Sequence, residues 1–124
     1  MSPRSEEFMA GARERIKGSR AVLAAGYPAV ALSSAYYAAL YAARAALSEE
    51  DRYAKTHAGT WNLFRECFLS TGRFDSDVFA SARRMQEARE AGDYDARTIP
   101  AAQAEVAVAD AERFVAAVTA MLDG

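Results

Sequence analysis

The run Pro28-Ala29-Val30-Ala31-Leu32-Ser33-Ser34-Ala35-Tyr36-Tyr37-Ala38-Ala39-Leu40-Tyr41-Ala42-Ala43-Arg44-Ala45-Ala46-Leu47 decides the fold class. Leu32, Tyr36, Leu40, Ala43 and Leu47 recur at steps of three and four, which is the helical period. Ser33, Tyr37, Tyr41 and Arg44 lie beside that stripe, and the other side is Ser34, Ala35, Ala38, Ala42, Ala45 and Ala46. Arg44 is the single charge, so a helix here must be covered on both faces. Small residues also let a neighbouring backbone come close. The helix is therefore either central in a bundle or half of a subunit interface. A longer apolar run, residues 21–47, has the length of a bilayer span, but Gly26, Pro28, four tyrosines and Arg44 interrupt it. It reads as parts of two soluble helices, with no membrane partner.

The rest of the chain carries the same signature. Of 124 residues, 30 are alanine, against 7 glycines and 3 prolines, too few breakers to punctuate strands and hairpins. A hydrophobic share of 52% fills one core, and the length fits a single domain over residues 1–124. Helix one starts at Ser2 with Pro3 in its first turn, carries Phe8, Ala12, Ile16, Ser19 and Leu23 inward, and stops at Gly26. Arg13, Lys17 and Arg20 form a basic row that reads as a solvated face. A charged connection, residues 48–55, precedes Thr56, the expected N-cap of a third helix with His57, Trp61, Phe64 and Phe68 on one face. Gly72 closes it. Asp75 or Ser76 caps a fourth helix with Val78, Ala82, Met85 and Arg89 in line, ended by Gly92. The fifth starts near Thr98 and Pro100 and carries Val108, Ala111, Val115, Val118 and Leu122. The expectation is an all-α bundle of about five helices.

Charge and cysteine usage narrow the function classes. A net charge of −2 and a single cysteine, Cys67, exclude a bulk electrostatic nucleic-acid binder and an internal disulfide. A local basic site is still compatible with that balance. Residues 1–11 carry Arg4, Glu6 and Glu7 and no apolar stretch of the kind a secretory signal needs, so a reducing, cytoplasmic setting is expected. One histidine and one cysteine are too few for a conventional zinc site. No glycine-rich phosphate loop, Ser-His-Asp arrangement or catalytic carboxylate pair is present, and no metal or cofactor is expected.

Four segments, in order, carry a resemblance. They are Ser33-Ser34-Ala35-Tyr36-Tyr37-Ala38-Ala39-Leu40-Tyr41-Ala42-Ala43; Lys55-Thr56-His57-Ala58-Gly59; Arg89-Glu90-Ala91-Gly92-Asp93-Tyr94-Asp95; and Ala109-Asp110-Ala111-Glu112-Arg113-Phe114-Val115. Together they resemble HEPN-domain proteins over roughly residues 8 to 122. The resemblance implies an up-and-down helical bundle that often forms a homodimer. It also implies a toxin of a toxin–antitoxin module, paired with a minimal nucleotidyltransferase as antitoxin. Many such toxins are metal-independent ribonucleases with an arginine, four to six residues, then a histidine, and Arg52-Tyr53-Ala54-Lys55-Thr56-His57 meets that spacing. Some relatives have a tyrosine two residues after the histidine, which the partner modifies with AMP; here Gly59 stands there.

The residue chemistry agrees with that implication. Metal-free RNA cleavage needs a proton shuttle near neutral pH and a cation for charge developing on phosphorus. His57 supplies the first, and Arg52 can hold two phosphate oxygens. Lys55 and Thr56 at the start of helix three, and Arg89, Asp93 and Tyr94 after helix four, are the candidate RNA- or nucleotide-binding residues. Structural alternatives stand beside each: Arg52 paired with Glu49 or Asp51, His57 capping the core edge above Trp61, and Arg89 paired with Asp93. The alternative function is a non-catalytic module that holds a nucleotide or a protein partner and dimerises through the alanine face.

Overall fold

The computed structural model describes residues 1–95 and 98–124, with residues 93–95 described by their backbone alone. Among them are five α-helices and no strand: α1 Pro3–Ala24, α2 Pro28–Glu49, α3 His57–Phe64, α4 Ser76–Asp95 and α5 Ala101–Asp123. A π turn, Arg65–Leu69, extends α3. The all-α expectation holds. No helix among the described residues is long and apolar enough to cross a membrane.

Helix α2 is the axis of the bundle and packs against α1, α3, α4 and α5. Its leucine–tyrosine stripe is buried, and so is the alanine side: Ala31, Ala35, Ala38, Ala39, Ala42, Ala43, Ala45 and Ala46 are all 0% exposed within the single chain. The choice left open by the sequence, central helix or subunit face, falls to the central helix. A homodimer would have to use another surface. Helix α1 lies closest to α2, because Gly11 lets the Tyr41 ring approach; a Cβ at Gly11 would sit 3.2 Å from that ring. The Ser34 hydroxyl donates to the Arg15 carbonyl oxygen at 3.1 Å across the same contact.

Helix ends follow from identifiable chemistry. Ser2 caps α1 by accepting from Ser5 N–H, Thr56 caps α3 through Gly59 N–H at 2.9 Å, and Asp75 caps α4 through Asp77 and Val78 N–H. Three C-termini close alike, with a left-handed residue and a pair of back-bonds to the last turn. Two of those residues are Gly26 and Gly72. The third, at the end of α2, is Asp51 with φ 53°, where Arg52 N–H reaches Leu47 O and Asp51 N–H reaches Ser48 O. Aspartate tolerates this conformation better than most side chains. Gly92 does not end α4, which continues to Asp95. A Cβ there would meet Ile99 at 3.3 Å, so its smallness serves packing against the segment that leads into α5.

The interior between α3 and its neighbours is aromatic. Phe64 contacts Phe68, Phe74, Phe79 and Phe114 at ring separations of 4.8, 4.9, 5.9 and 5.5 Å. Trp61 meets Phe114 edge-on at 5.7 Å. Each such pair adds roughly 0.5–1.5 kcal/mol beyond area burial. They hold the short α3, which could not persist alone, against the bundle.

Because the alanine side of α2 is filled by its own chain, Ala42→Leu should destabilise by about 1–3 kcal/mol through overpacking. Thermal denaturation at two protein concentrations checks this. A loss independent of concentration is expected, and a concentration-dependent one would place a second copy on that face.

Candidate functional site

The N-terminus of α3 brings the only histidine against two tyrosines of α2. His57 is half-buried, with its ring 5.6 Å from Tyr36 and 5.7 Å from Tyr37, the latter edge-on. Its Nδ1 lies 3.1 Å from the Tyr36 hydroxyl. That hydroxyl also accepts from Trp61 Nε1 at 3.1 Å. Trp61 can only donate, so Tyr36 keeps one lone pair and its proton for His57, and can serve either tautomer. Burial pushes the Tyr36 hydroxyl above its usual 10.0, so it stays protonated. Nε2 of His57 has no hydrogen-bond partner among the described residues, which leaves it for a ligand.

Two arginines set the electrostatics. The His57 pKa is held below 6.5, first by burial and then by the positive charges of Arg44 and Arg89; Glu90 opposes them weakly. The imidazole is therefore neutral at pH 7. Arg89 lies over the Tyr37 and Tyr36 rings, 5.0 and 5.5 Å from their centroids, and donates to the Tyr37 hydroxyl at 3.2 Å. Along the same side of the bundle, Arg15 lies over Tyr41 and Tyr37 at 5.1 and 5.7 Å. These stacks hold both guanidinium groups against the tyrosine rings of α2.

The expected residues come together only in part. His57 and Arg89 share the Tyr36–Tyr37 surface. Arg52 does not touch His57: its guanidinium reaches Glu66 and the Cys67 sulfur, each at 3.9 Å, on the side of the π turn. Neither Glu49 nor Asp51 is its partner among the described residues. The reason is the close of α2, which sends the chain out at Arg52 before it returns at Thr56. Thr56 is engaged as the helix cap, and Lys55 is exposed beside it. The Asp93 and Tyr94 side chains, and with them the expected Arg89–Asp93 pair, lie outside the described residues.

Sequence reasoning missed Arg44, Arg15 and the polar role of Tyr36. Arg44 carried a signal, being the one charge in residues 28–47. Tyr36 carried none, since a core stripe position hides a hydroxyl's partners. Three acidic or sulfur- or imidazole-bearing side chains do not converge anywhere among the described residues, so nothing there forms a metal centre. Gly59 also gains a reason. A Cβ at this position would lie 2.8 Å from Thr56 Oγ1 and 3.0 Å from Ala54 Cβ, so any side chain collides with the cap.

The comparisons with known proteins agree on one family. The profile of the HEPN domain matches residues 5–121. A UPF0332 protein of Gloeobacter violaceus is 28% identical over 117 residues, which is 93% of each chain.

Two outcomes follow from this geometry. Gly59→Ala, which in an ordinary helix interior gains up to about 1 kcal/mol, should instead lower stability, because the Thr56 cap is displaced; a denaturant titration reads the sign. Well above pH 6.5 His57 is neutral in both folded and unfolded chains and adds no pH dependence. As pH falls below that value the unfolded chain takes up the proton first, so stability drops until the folded-state pKa is also passed. The thermal midpoint of His57→Gln should lack this share of the decline, which begins at about pH 7. An unchanged slope would mean that the imidazole is not held neutral.

Proposed function

The chain belongs to the HEPN-domain family, and from that premise we propose that it is the toxin of a toxin–antitoxin module, a metal-independent endoribonuclease with His57 as its proton-transfer residue. The observation that carries this reading is the ring of His57, oriented through Nδ1 by Tyr36 and kept neutral by burial and by Arg44 and Arg89. A neutral imidazole with a free Nε2 is the starting form of a general base. The RNA 2′-hydroxyl gives its proton to Nε2 while Nδ1 carries the ring proton, which the Tyr36 oxygen accepts. The 2′-oxygen bonds to phosphorus, the bond to the 5′-oxygen breaks, and that oxygen takes up a proton as it leaves. The products are a 2′,3′-cyclic phosphate and a 5′-hydroxyl. Arg44 and Arg89 offset the negative charge that builds on the phosphoryl oxygens.

One observation favours a second reading. Arg52 is directed to Glu66 and Cys67, and a module that binds a nucleotide without cleaving it needs no Arg52–His57 pair. In either reading the expected partners are a second copy of the chain and a minimal nucleotidyltransferase. Control by AMP transfer to a tyrosine two residues after the histidine does not apply to a chain with Gly59.

Cleavage of RNA in the presence of chelator, lost by about 10²–10⁴-fold in His57→Ala, is the expected result. For wild type, kcat/KM should fall about tenfold per pH unit on the acid side of a pKa below 6.5. Growth arrest on expression should vanish with the same substitution. Cleavage and arrest that survive His57→Ala would overturn this site, and binding without cleavage by wild type would select the second reading.

A further inference from the structure

The basic row of α1 divides in the folded chain. Arg20 crosses to α5 and pairs with Glu112, its Nε donating to one carboxylate oxygen at 3.2 Å. Arg13 and Lys17 are exposed, and their side chains have no hydrogen bond or ion pair among the described residues. Both line an open groove of about 520 Å³ between α1 and α5. Ile16 supplies apolar surface from α1, and Val115, Ala116 and Ala120 supply it from α5. Thr119, the one hydroxyl in the groove, donates to the Val115 carbonyl oxygen at 2.9 Å, so it asks nothing of an occupant. The Glu112 carboxylate is already met by Arg20. What is left for a partner is aliphatic surface beside two cations.

That combination selects among occupants. A membrane surface takes up apolar side chains that protrude, and none of the exposed large apolar side chains lies in this groove. A nucleic acid needs rings on which bases stack, and no aromatic residue lines it. A second copy packed about a two-fold axis would set Arg13 and Lys17 against their own counterparts, charge against like charge. A helix with an acidic edge meets every requirement. Residues 112–120 of α5 run about 12 Å, roughly two turns, the length over which a docked helix presents side chains at i, i+3, i+4 and i+7. Arg13 and Lys17 stand about 6 Å apart along α1, which matches two carboxylates one turn apart on a neighbouring helix.

We propose that the α1–α5 groove docks an amphipathic, acidic-edged helix of a partner protein. Its apolar side chains enter between α1 and α5, and two of its carboxylates meet Arg13 and Lys17. The apolar contact supplies affinity, while the two cations select the partner and make the contact sensitive to salt. Neither His57 nor any cleavage step is part of it, so it holds or fails independently of the ribonuclease reading.

Fluorescence anisotropy of the full chain with three labelled helical peptides tests this. The first carries leucine at i, i+3, i+4 and i+7 with glutamates one turn apart beside them. The second has lysine for each glutamate, and the third keeps the glutamates but has serine for each leucine. The first should bind about tenfold or more tighter than either of the others. Arg13→Glu together with Lys17→Glu should invert the preference toward the lysine peptide. Ala116→Gln, at an exposed position in the groove, should weaken the first peptide about tenfold or more by filling the hollow. Thermal midpoints show that the variants are folded. Sedimentation and flotation with phosphatidylserine vesicles should give the same result for wild type and Ala116→Gln. The proposal is overturned if the first peptide fails to bind or is not preferred, if the doubly reversed chain keeps the original preference, or if Ala116→Gln leaves the affinity unchanged. Self-association or vesicle binding that Ala116→Gln abolishes would also overturn it, in favour of a second copy or a membrane.

Discussion

The Tyr36 hydroxyl is the point on which core and site both depend. It sits on a side chain that is 0% exposed, and a buried hydroxyl without partners costs about 1–3 kcal/mol. Trp61 from the second turn of α3 and His57 from its first meet that need together. Satisfying the core therefore fixes the rotation of α3 about its axis, and that rotation aims the imidazole. The phenylalanines around Phe64 hold the same helix from the other side. Disturbing the tyrosine would loosen the site and the packing at once, because one oxygen serves both.

Around this joint, arginine and tyrosine are arranged to keep positive charge available. The carboxylates of an acidic chain could neutralise every guanidinium, and some do so: Arg20 pairs with Glu112, Arg73 with Glu50 and Arg113 with Asp110. On the α1–α2 side, Arg4 lies over Tyr53 and Arg15 over Tyr41. A π face holds a cation in place with little loss of its field. An overall acidic chain thus carries ring-stacked cations on one side.

Helical periodicity, caps and breakers were legible because they are local. Ser2, Thr56 and Asp75 cap where hydroxyl or carboxylate oxygens reach their own next turn, and Gly26 and Gly72 stand where the backbone must turn left-handed. Asp51 does the same work without being glycine, so the close of α2 was read as a charged connection. Glycine usually breaks helices, so the sequence predicts a stop at Gly92; the constraint there is Ile99, which comes close only in the folded chain. The Arg52–His57 spacing likewise looked like a pair. Spacing along the chain cannot register that Arg52 comes directly off the close of α2, with its guanidinium toward Glu66.

The sequence by itself determined an all-α chain, one histidine at the head of the third helix, and a second helix whose residues 28–47 are uncharged but for Arg44. Those are consequences of period, propensity and capping, which act within a few residues. Only the tertiary structure decided that the alanine face is consumed inside one chain, that burial, with Arg44 and Arg89 rather than Arg52, lowers the imidazole's pKa, and that Arg4 and Arg44 line one cleft. Each of these depends on how distant segments pack. Burial and charge act through space, and their partners are set only when the bundle closes.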